Sequence, residues 1–221
     1  MAPAASSVLT RPARRRGPPL LYRSYGLTIG SRFRLRGLPR GTGAPDVDIL
    51  RGLPRAPERA VAFGHPAVGR FLVDAGDRVC VRPAHGVPAA LLRTWLWGPA
   101  LAVALRQRGR LVLHGSAVEV SGRALVFLAA SGGGESTLAA ALAGAGARVL
   151  ADDLAVIHEG ALLPGGPGVG LWPDAAARLG LPLSSLPVVH PAARKRLLPF
   201  APGSAPVPLG AVFLLEEGPG P

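Results

Sequence analysis

A glycine-rich segment in the second half of the chain has the composition of a phosphate-binding loop. Its members are small or carry a hydroxyl group: Ser131, Gly132, Gly133, Gly134, Ser136 and Thr137. Small residues allow successive backbone N–H groups to turn toward a phosphate, and a helix that begins behind them adds the positive end of its dipole. A hydroxyl at the start of that helix can bind the Mg²⁺ that accompanies a nucleotide. The segment therefore predicts a nucleotide phosphate site, with a flexible surface turn as the alternative in a chain of 30 glycines.

The segment departs from the usual phosphate-loop pattern, GxxxxGK[ST], at two positions. Ala129 stands in place of the first glycine, and Glu135 stands in place of the lysine. A carboxylate beside phosphates replaces attraction by repulsion, each on the order of 4 kcal/mol per charge pair at about 4 Å and an effective dielectric constant of about 20. Mg²⁺ and water screen part of this repulsion. We nevertheless expect Glu135 to weaken nucleotide binding or turnover.

The segments on both sides of the loop follow the order that an open α/β nucleotide site requires. An apolar strand is predicted over Ala124–Leu128, directly before the loop, and a helix over Ser136–Leu142, directly after it. Gly144 and Gly146 end this helix, because glycine is the preferred residue after the last helical turn. A second buried strand is predicted over Arg148–Ala151.

Two adjacent carboxylates, Asp152 and Asp153, follow that second strand. Neighbouring side chains at the tip of a strand point to opposite faces, so the two acids can have different roles. Aspartate is also common where a strand enters a turn, which is the structural alternative. His114 lies upstream, in a strand predicted over Leu111–Val120 that ends in a tight turn at Ser121-Gly122. Taken alone, such a histidine is more often a structural residue than a functional one.

The N-terminal part of the chain shows short strand signals. Residues 1–20 are rich in Ala, Pro, Ser and Arg, and we predict that they form a disordered leader. Strands are predicted at Leu27–Ile29 and Val47–Leu50. A hairpin is predicted where Arg70–Val73 and Arg78–Val81 flank a short polar turn.

A helical segment connects these strands to the second half. It is predicted from Pro88 to about Arg108, kinked or divided at Gly98-Pro99. The chain is thus predicted to contain a leader (1–20), a small β-rich lobe with a connecting helix (21–108) and an α/β phosphate-loop domain (109–221).

Composition and charge limit the classes of function. The formal net charge of +12 favours an anionic partner such as nucleic acid. However, nearly all cations are arginines scattered along the chain, and Lys195 is the only lysine, so nucleic-acid binding is disfavoured.

Cys80 is the only cysteine, which excludes an intrachain disulfide and is typical of a reducing, cytoplasmic setting. The longest strongly apolar stretch, Thr94–Leu105, is about half a membrane span, so no membrane partner is expected.

Together, these segments resemble the HPr serine kinase family, in particular the shorter HPr kinase-related proteins of bacterial gene clusters. The resemblance is most specific over residues 111–157, where Leu113–Val118, the phosphate loop and Gly146–Asp153 follow the family's order. Tyr25–Ile29 resembles the opening of those related kinases, and Leu171–Asp174 resembles a stretch after their active site. The chain ends soon after a strand signal at residues 209–215, where relatives usually continue, so a C-terminal truncation is a further expectation.

The resemblance implies a phosphate-loop α/β domain with a mixed sheet that transfers the γ-phosphate of ATP, with Mg²⁺, to a serine of a protein or peptide. The loop residues, including Glu135, would contact the phosphates, and Ser136 would bind Mg²⁺. Asp152 and Asp153 would divide metal binding and activation of the acceptor hydroxyl between them. Asp152 is a candidate for both roles, and the sequence does not decide which acid does which. His114 would lie near the acids and orient or tune them.

Three functions therefore remain open from the sequence. The first is an ATP-dependent serine kinase, favoured by His114, Asp152 and Asp153. The second is a nucleotide-binding or regulatory relative with impaired catalysis, favoured by Glu135. The third is an arginine-rich nucleic-acid binder, whose affinity would fall steeply with salt and would not depend on Mg-ATP. The identity of the acceptor, the oligomeric state (a homo-oligomer is compatible with the sequence) and any reverse reaction on the phosphorylated product do not follow from the sequence.

Two further groups have alternative interpretations. Arg194–Arg196 is predicted to be a solvated basic turn, but a sharper hypothesis is that Lys195 reaches the phosphates and partly replaces the lost loop lysine. The tryptophans Trp95, Trp97 and Trp172 are predicted to pack in the core or on a helix face rather than to stack on nucleic-acid bases.

Overall fold

The computed structural model describes residues 18–189, 194–216 and 218. Its first sheet has six strands in the spatial order β1-β2-β3-β6-β5-β4. They are β1 (Leu20–Ser24), β2 (Leu27–Ser31), β3 (Val47–Arg51), β4 (Val61–His65), β5 (Gly69–Asp74) and β6 (Arg78–Pro83). The sheet is mixed, because β3 pairs in parallel with both β2 and β6 while the other neighbours are antiparallel.

The predicted strands and hairpin of the N-terminal part are confirmed. Asp74 pairs with Arg78 across the β5–β6 turn, where Ala75 and Gly76 have φ of 52° and 72°. This left-handed pair fits the right-handed twist of the flanking strands. Of the leader predicted over 1–20, residues 1–17 lie outside the described residues. Strand β1 begins at Leu20, inside the range assigned to that leader.

A helical segment follows, and it is interrupted where glycine and proline predicted an interruption. Helix α1 (Ala89–Trp95) continues through a π-helical turn (Leu96–Ala100) into α2 (Leu101–Gln107). Pro99 lies inside the π turn, where its missing N–H removes one regular α-helical hydrogen bond.

The second sheet has seven strands in the order β10-β8-β9-β15-β12-β11-β7. The remaining strands of the chain are β7 (Leu111–His114), β8 (Ser116–Val120), β9 (Arg123–Ala129), β10 (Arg148–Ala151), β11 (Leu154–His158), β12 (Ala161–Leu163), β13 (Gly168–Leu171), β14 (Arg196–Pro199) and β15 (Val207–Leu215). Only the β9–β15 pair is parallel among the described strands of this sheet. β13 and β14 form a separate antiparallel pair. The protein is therefore a mixed α/β structure with mixed sheets and few helices.

One face of the second sheet carries helix α3 (Glu135–Gly144) and the β13–β14 pair. The core between them contains Phe127 of β9, Ala139 of α3 and Val169 of β13. The chain then continues through α4 (Pro173–Arg178) and a 3₁₀ turn (Leu183–Ser185). This packing fixes the distance between the start of α3 and the β13–β14 pair.

The two sheets are joined by a common hydrophobic core. Leu154 and Val156 of β11, together with Leu163 of β12, pack in the same cluster as the buried residues of the first sheet and of α1–α2. Burial of this apolar surface holds the N-terminal sheet against the region that contains the two aspartates.

Two expectations from the sequence are wrong. The single strand predicted over 111–120 is two strands, β7 and β8, which pair with different neighbours. They separate at Gly115, where a Cβ would collide with the Phe127 carbonyl group. Trp172 is 47% exposed and is not a core residue, whereas Trp95 and Trp97 pack against the first core as predicted. Among the described helices, none is both long and apolar enough to span a membrane.

Candidate functional site

The phosphate-loop segment connects the end of β9 to the start of α3, as predicted. Gly132 and Gly134 have φ of 86° and 91°, a left-handed conformation that strongly favours glycine. The Gly133 N–H donates to the Ala130 carbonyl at 2.8 Å, which closes the turn. A Cβ at Gly133 would lie only 2.6 Å from the Ala129 Cβ. The sequence therefore specifies this tight turn through its glycines.

The loop is open to solvent at a helix N-terminus. Residues 131–133 are exposed, and α3 begins immediately after Gly134. The N–H groups of the first helical turn have no partner within the helix, so they are available to an anion. Among the described side chains, none caps this end of the helix by a hydrogen bond.

Glu135 is the first residue of α3. A carboxylate in the first helical turn interacts favourably with the helix dipole, by about 0.3–1 kcal/mol. No arginine or lysine nitrogen of the described chain lies within 4.0 Å of this carboxylate. Glu135 thus stabilises the helix end by the same interaction that a bound phosphate would use, and the two negative groups would compete.

Asp152 connects the loop to the rest of the site. Its side chain follows β10, is 4% exposed and accepts three hydrogen bonds. The Ser116 and Ser136 hydroxyls donate to Oδ1 at 2.5 and 2.8 Å, and the Gly170 N–H donates to Oδ2 at 2.7 Å. One carboxylate therefore ties together β8, the first turn of α3 and β13.

The environment of Asp152 disfavours its charged form. Burial raises its pKa from an ordinary value of 3.8 to about 6, and the neighbouring Asp153 charge adds to the increase. The hydrogen bonds from Ser116, Gly170 and Ser136 act in the opposite direction but do not overcome desolvation. A nearby cation would therefore be favourable at this position.

Asp153 has a different environment, although it is the next residue. It has φ of 64° and its side chain is exposed, so the two carboxylates diverge. Its backbone carbonyl accepts a hydrogen bond from His114 Nδ1 at 2.9 Å and a longer one from the Gly115 N–H at 3.4 Å. Because a carbonyl can only accept, His114 Nδ1 carries the proton, and Nε2 is an acceptor in the neutral ring. His114 therefore lies beside the acids, as expected, but holds the backbone of the turn rather than a carboxylate.

Tyr25 brings the N-terminal sheet into the site. It lies in the β1–β2 turn, with φ of 52°, and is 2% exposed. Burial and the charges of Asp153 and Asp152 together raise the pKa of its phenol. Its backbone N–H donates to the Pro164 carbonyl at 2.9 Å, and Arg110 donates to its carbonyl oxygen. The phenol is therefore neutral and fixed in position next to the aspartates.

Sequence reasoning did not identify Ser116, Gly170 or Tyr25 as site residues. Ser116 had a detectable signal, because it is a fully buried hydroxyl in an otherwise apolar strand. Gly170 acts through its backbone, so its residue type carries no signal for the hydrogen bond that it donates. The role of Tyr25 depends on contact between two distant segments.

A separate cavity of about 460 Å³ lies away from this centre. It is lined by Arg23, Pro39, Arg40, Gly41, Thr42 and residues 201–204, none of which belongs to the loop or touches the acids. The candidate site is defined by its hydrogen bonds. Comparison of the sequence with protein-family models and with curated protein sequences gives no match.

Proposed function

We propose that the protein is a Mg²⁺- and ATP-dependent kinase that phosphorylates a serine of a protein or peptide, in the manner of the HPr serine kinases that its sequence resembles. The observation that carries this proposal is the hydrogen bond between Ser136 Oγ and Asp152 Oδ1. It joins the first turn of the helix behind a glycine loop to a buried acid at the end of a strand. Phosphoryl-transfer sites of the phosphate-loop class use this pair of groups to hold Mg²⁺.

The donor set at this point fits a magnesium ion. Ser136 and Asp152 supply hard oxygen atoms, and Mg²⁺ is usually held by one or two protein ligands, several waters and the phosphates of its nucleotide. In the described chain no cluster of three His, Cys, Asp or Glu side chains could form a complete protein cage for a metal. When bound, the ion would neutralise charge on the β- and γ-phosphates.

The remaining groups can carry out an in-line transfer. The backbone N–H groups at the start of α3 would bind phosphate oxygens. Asp153, which is exposed next to Asp152, would accept the proton of the serine hydroxyl. In this step the serine oxygen forms a bond to the γ-phosphorus while the bond from that phosphorus to the bridging oxygen of ADP breaks. The phosphoserine product and ADP then leave.

The second candidate function is a nucleotide-binding or regulatory protein with little turnover. Glu135 favours this alternative, because its carboxylate stands at the helix end that would receive the phosphates. The two functions share one site and differ in how strongly that site holds Mg-ATP.

Calorimetric titration of the full chain with Mg-ATP separates these functions. The wild type is compared with Glu135→Lys, and Glu159→Lys is the matched control, since it makes the same charge change on an exposed turn at the far end of β11. Binding by the wild type, strengthened in Glu135→Lys and unchanged in Glu159→Lys, supports the kinase. Binding in Glu135→Lys alone supports the impaired relative, and absence of binding in all three proteins overturns the nucleotide site.

A further inference from the structure

The only lysine of the chain lies beside the proposed metal acid. Lys195 immediately precedes β14, which pairs with β13 so that Gly170 lies opposite Leu197. The point that a Cβ would occupy at Gly170 is 3.8 Å from Lys195 Nζ and 3.7 Å from Asp152 Oδ2. The ammonium and the carboxylate therefore both lie next to a residue that has no side chain to fill the space beside them.

Trp172 contacts this ammonium. Lys195 Nζ lies over the indole ring, 5.7 Å from its centroid, in the arrangement of a cation–π contact. This contact gives a role to the exposed ring of Trp172. The lysine is partly buried rather than fully solvated, so the basic turn predicted from the sequence applies to the exposed Arg194 and not to Lys195.

No described carboxylate oxygen lies within 4.0 Å of Lys195 Nζ, so no close ion pair holds the ammonium in place. A lysine side chain is a flexible stem with a point charge, and it can move several bonds' length toward an incoming anion. The hydroxyl of Ser136 lies at the other oxygen of the same carboxylate. A phosphate bound between the start of α3 and Asp152 would thus be within the region that Lys195 can reach.

We propose that Lys195, positioned by Trp172 and by the open face of Gly170, binds the nucleotide phosphates and replaces the loop lysine whose place Glu135 occupies. This inference rests on the proposed function, because it assigns a phosphate-binding residue to the same site. The cation approaches from the β13–β14 pair, whereas the usual loop lysine approaches from the first turn of the helix.

The first test measures Mg-ATP and Mg-AMP affinity of the full chain by calorimetry in Lys195→Met, which keeps the length of the side chain and removes its charge. We expect Mg-ATP affinity to fall about 10- to 100-fold, the range for loss of a hydrogen bond to a charged group, and Mg-AMP affinity to change much less. Arg194→Met is the matched control, because it removes a neighbouring exposed charge, and it should leave both affinities unchanged. Thermal unfolding of each variant verifies that the fold is retained.

The second test is a double-variant cycle with Glu135→Lys. If Lys195 acts in place of the loop lysine, its removal should matter less once Glu135→Lys restores that lysine, because coupled residues are not additive. In the Glu135→Lys background, the effect of Lys195→Met on log affinity should be less than about a third of its effect in the wild type. Equal effects in both backgrounds overturn the replacement, and an unchanged affinity in Lys195→Met alone overturns the contact. Absence of Mg-ATP binding in the wild type and in Glu135→Lys would instead overturn the proposed function itself.

Discussion

Substitution of Asp152 by asparagine should change how the stability of the protein depends on pH. In the folded chain burial raises the pKa of Asp152 from 3.8 to about 6, so the folded state binds this proton more tightly than the unfolded state does. Stability contributed by this group is therefore greatest at low pH and falls as pH rises from about 4 to about 6. At about 1.4 kcal/mol per pKa unit, the shift corresponds to about 3 kcal/mol lost by pH 7.

Asparagine removes this titration and can keep the three contacts. Its oxygen can accept from the Gly170 N–H, and its amide can donate to the hydroxyls of Ser116 and Ser136, which also act as acceptors. We therefore expect Asp152→Asn to be close to the wild type near pH 4 and more stable than it by up to about 3 kcal/mol at pH 7 to 8.

The assay is urea denaturation at half-unit intervals from pH 4 to pH 8, without divalent cations, in wild type and Asp152→Asn. The quantity of interest is the difference in unfolding free energy between the two proteins, because titrating groups that do not interact with Asp152 cancel in it. Asp77→Asn is the matched control, as Asp77 is exposed on the β5–β6 turn. A difference that stays constant with pH, or that favours the wild type more strongly as pH rises, would refute the reasoning.

Other positions give three further expectations. Gly133→Ala would bring its Cβ within 2.6 Å of the Ala129 Cβ, so the exposed loop must distort; calorimetry should show Mg-ATP affinity reduced while the melting temperature changes little. Gly165→Ala would drive a methyl group into the Tyr25 ring, and urea denaturation should show a loss of about 1–3 kcal/mol in unfolding free energy. His114→Ala removes the hydrogen bond to the carbonyl of the acidic turn, and the same measurement should show a loss of about 0.5–1.5 kcal/mol.

The order of elements around the site was predictable because its signals are local. The apolar run before the loop, the glycines within it and Gly146 after the helix each act on neighbouring backbone, whereas Gly144 is the last residue of the helix and does not follow it. Accordingly, β9 and β10 match the predicted strands within two residues at each end, and α3 extends the predicted helix by one residue at its start and two at its end. The hairpin at Asp74–Asp77 was found for the same reason.

The features that the sequence did not reveal depend on contacts between distant segments. The division of residues 111–120 at Gly115 reflects close approach of the Phe127 carbonyl, which no local pattern encodes. The parallel pairing of β15 with β9 likewise depends on a long connection. Trp172 was expected to pack in the core or on a helix face, but its indole is instead exposed beneath the Lys195 ammonium.

The separation of the two aspartates shows how a correct expectation can have a different cause. The sequence predicted that Asp152 and Asp153 diverge because successive residues of a strand point to opposite faces. In the structure β10 has already ended at Ala151, and Asp153 has φ of 64°, which is left-handed and not extended. The hydrogen bond from His114 to the Asp153 carbonyl stabilises this left-handed turn. If this turn relaxed to an extended conformation, the path of the chain from Asp152 into β11 would change, and with it the contact between Asp152 and Ser136 on which the proposed metal site depends. The environments of the Asp152 and Asp153 carboxyl groups therefore depend on the backbone conformation at Asp153.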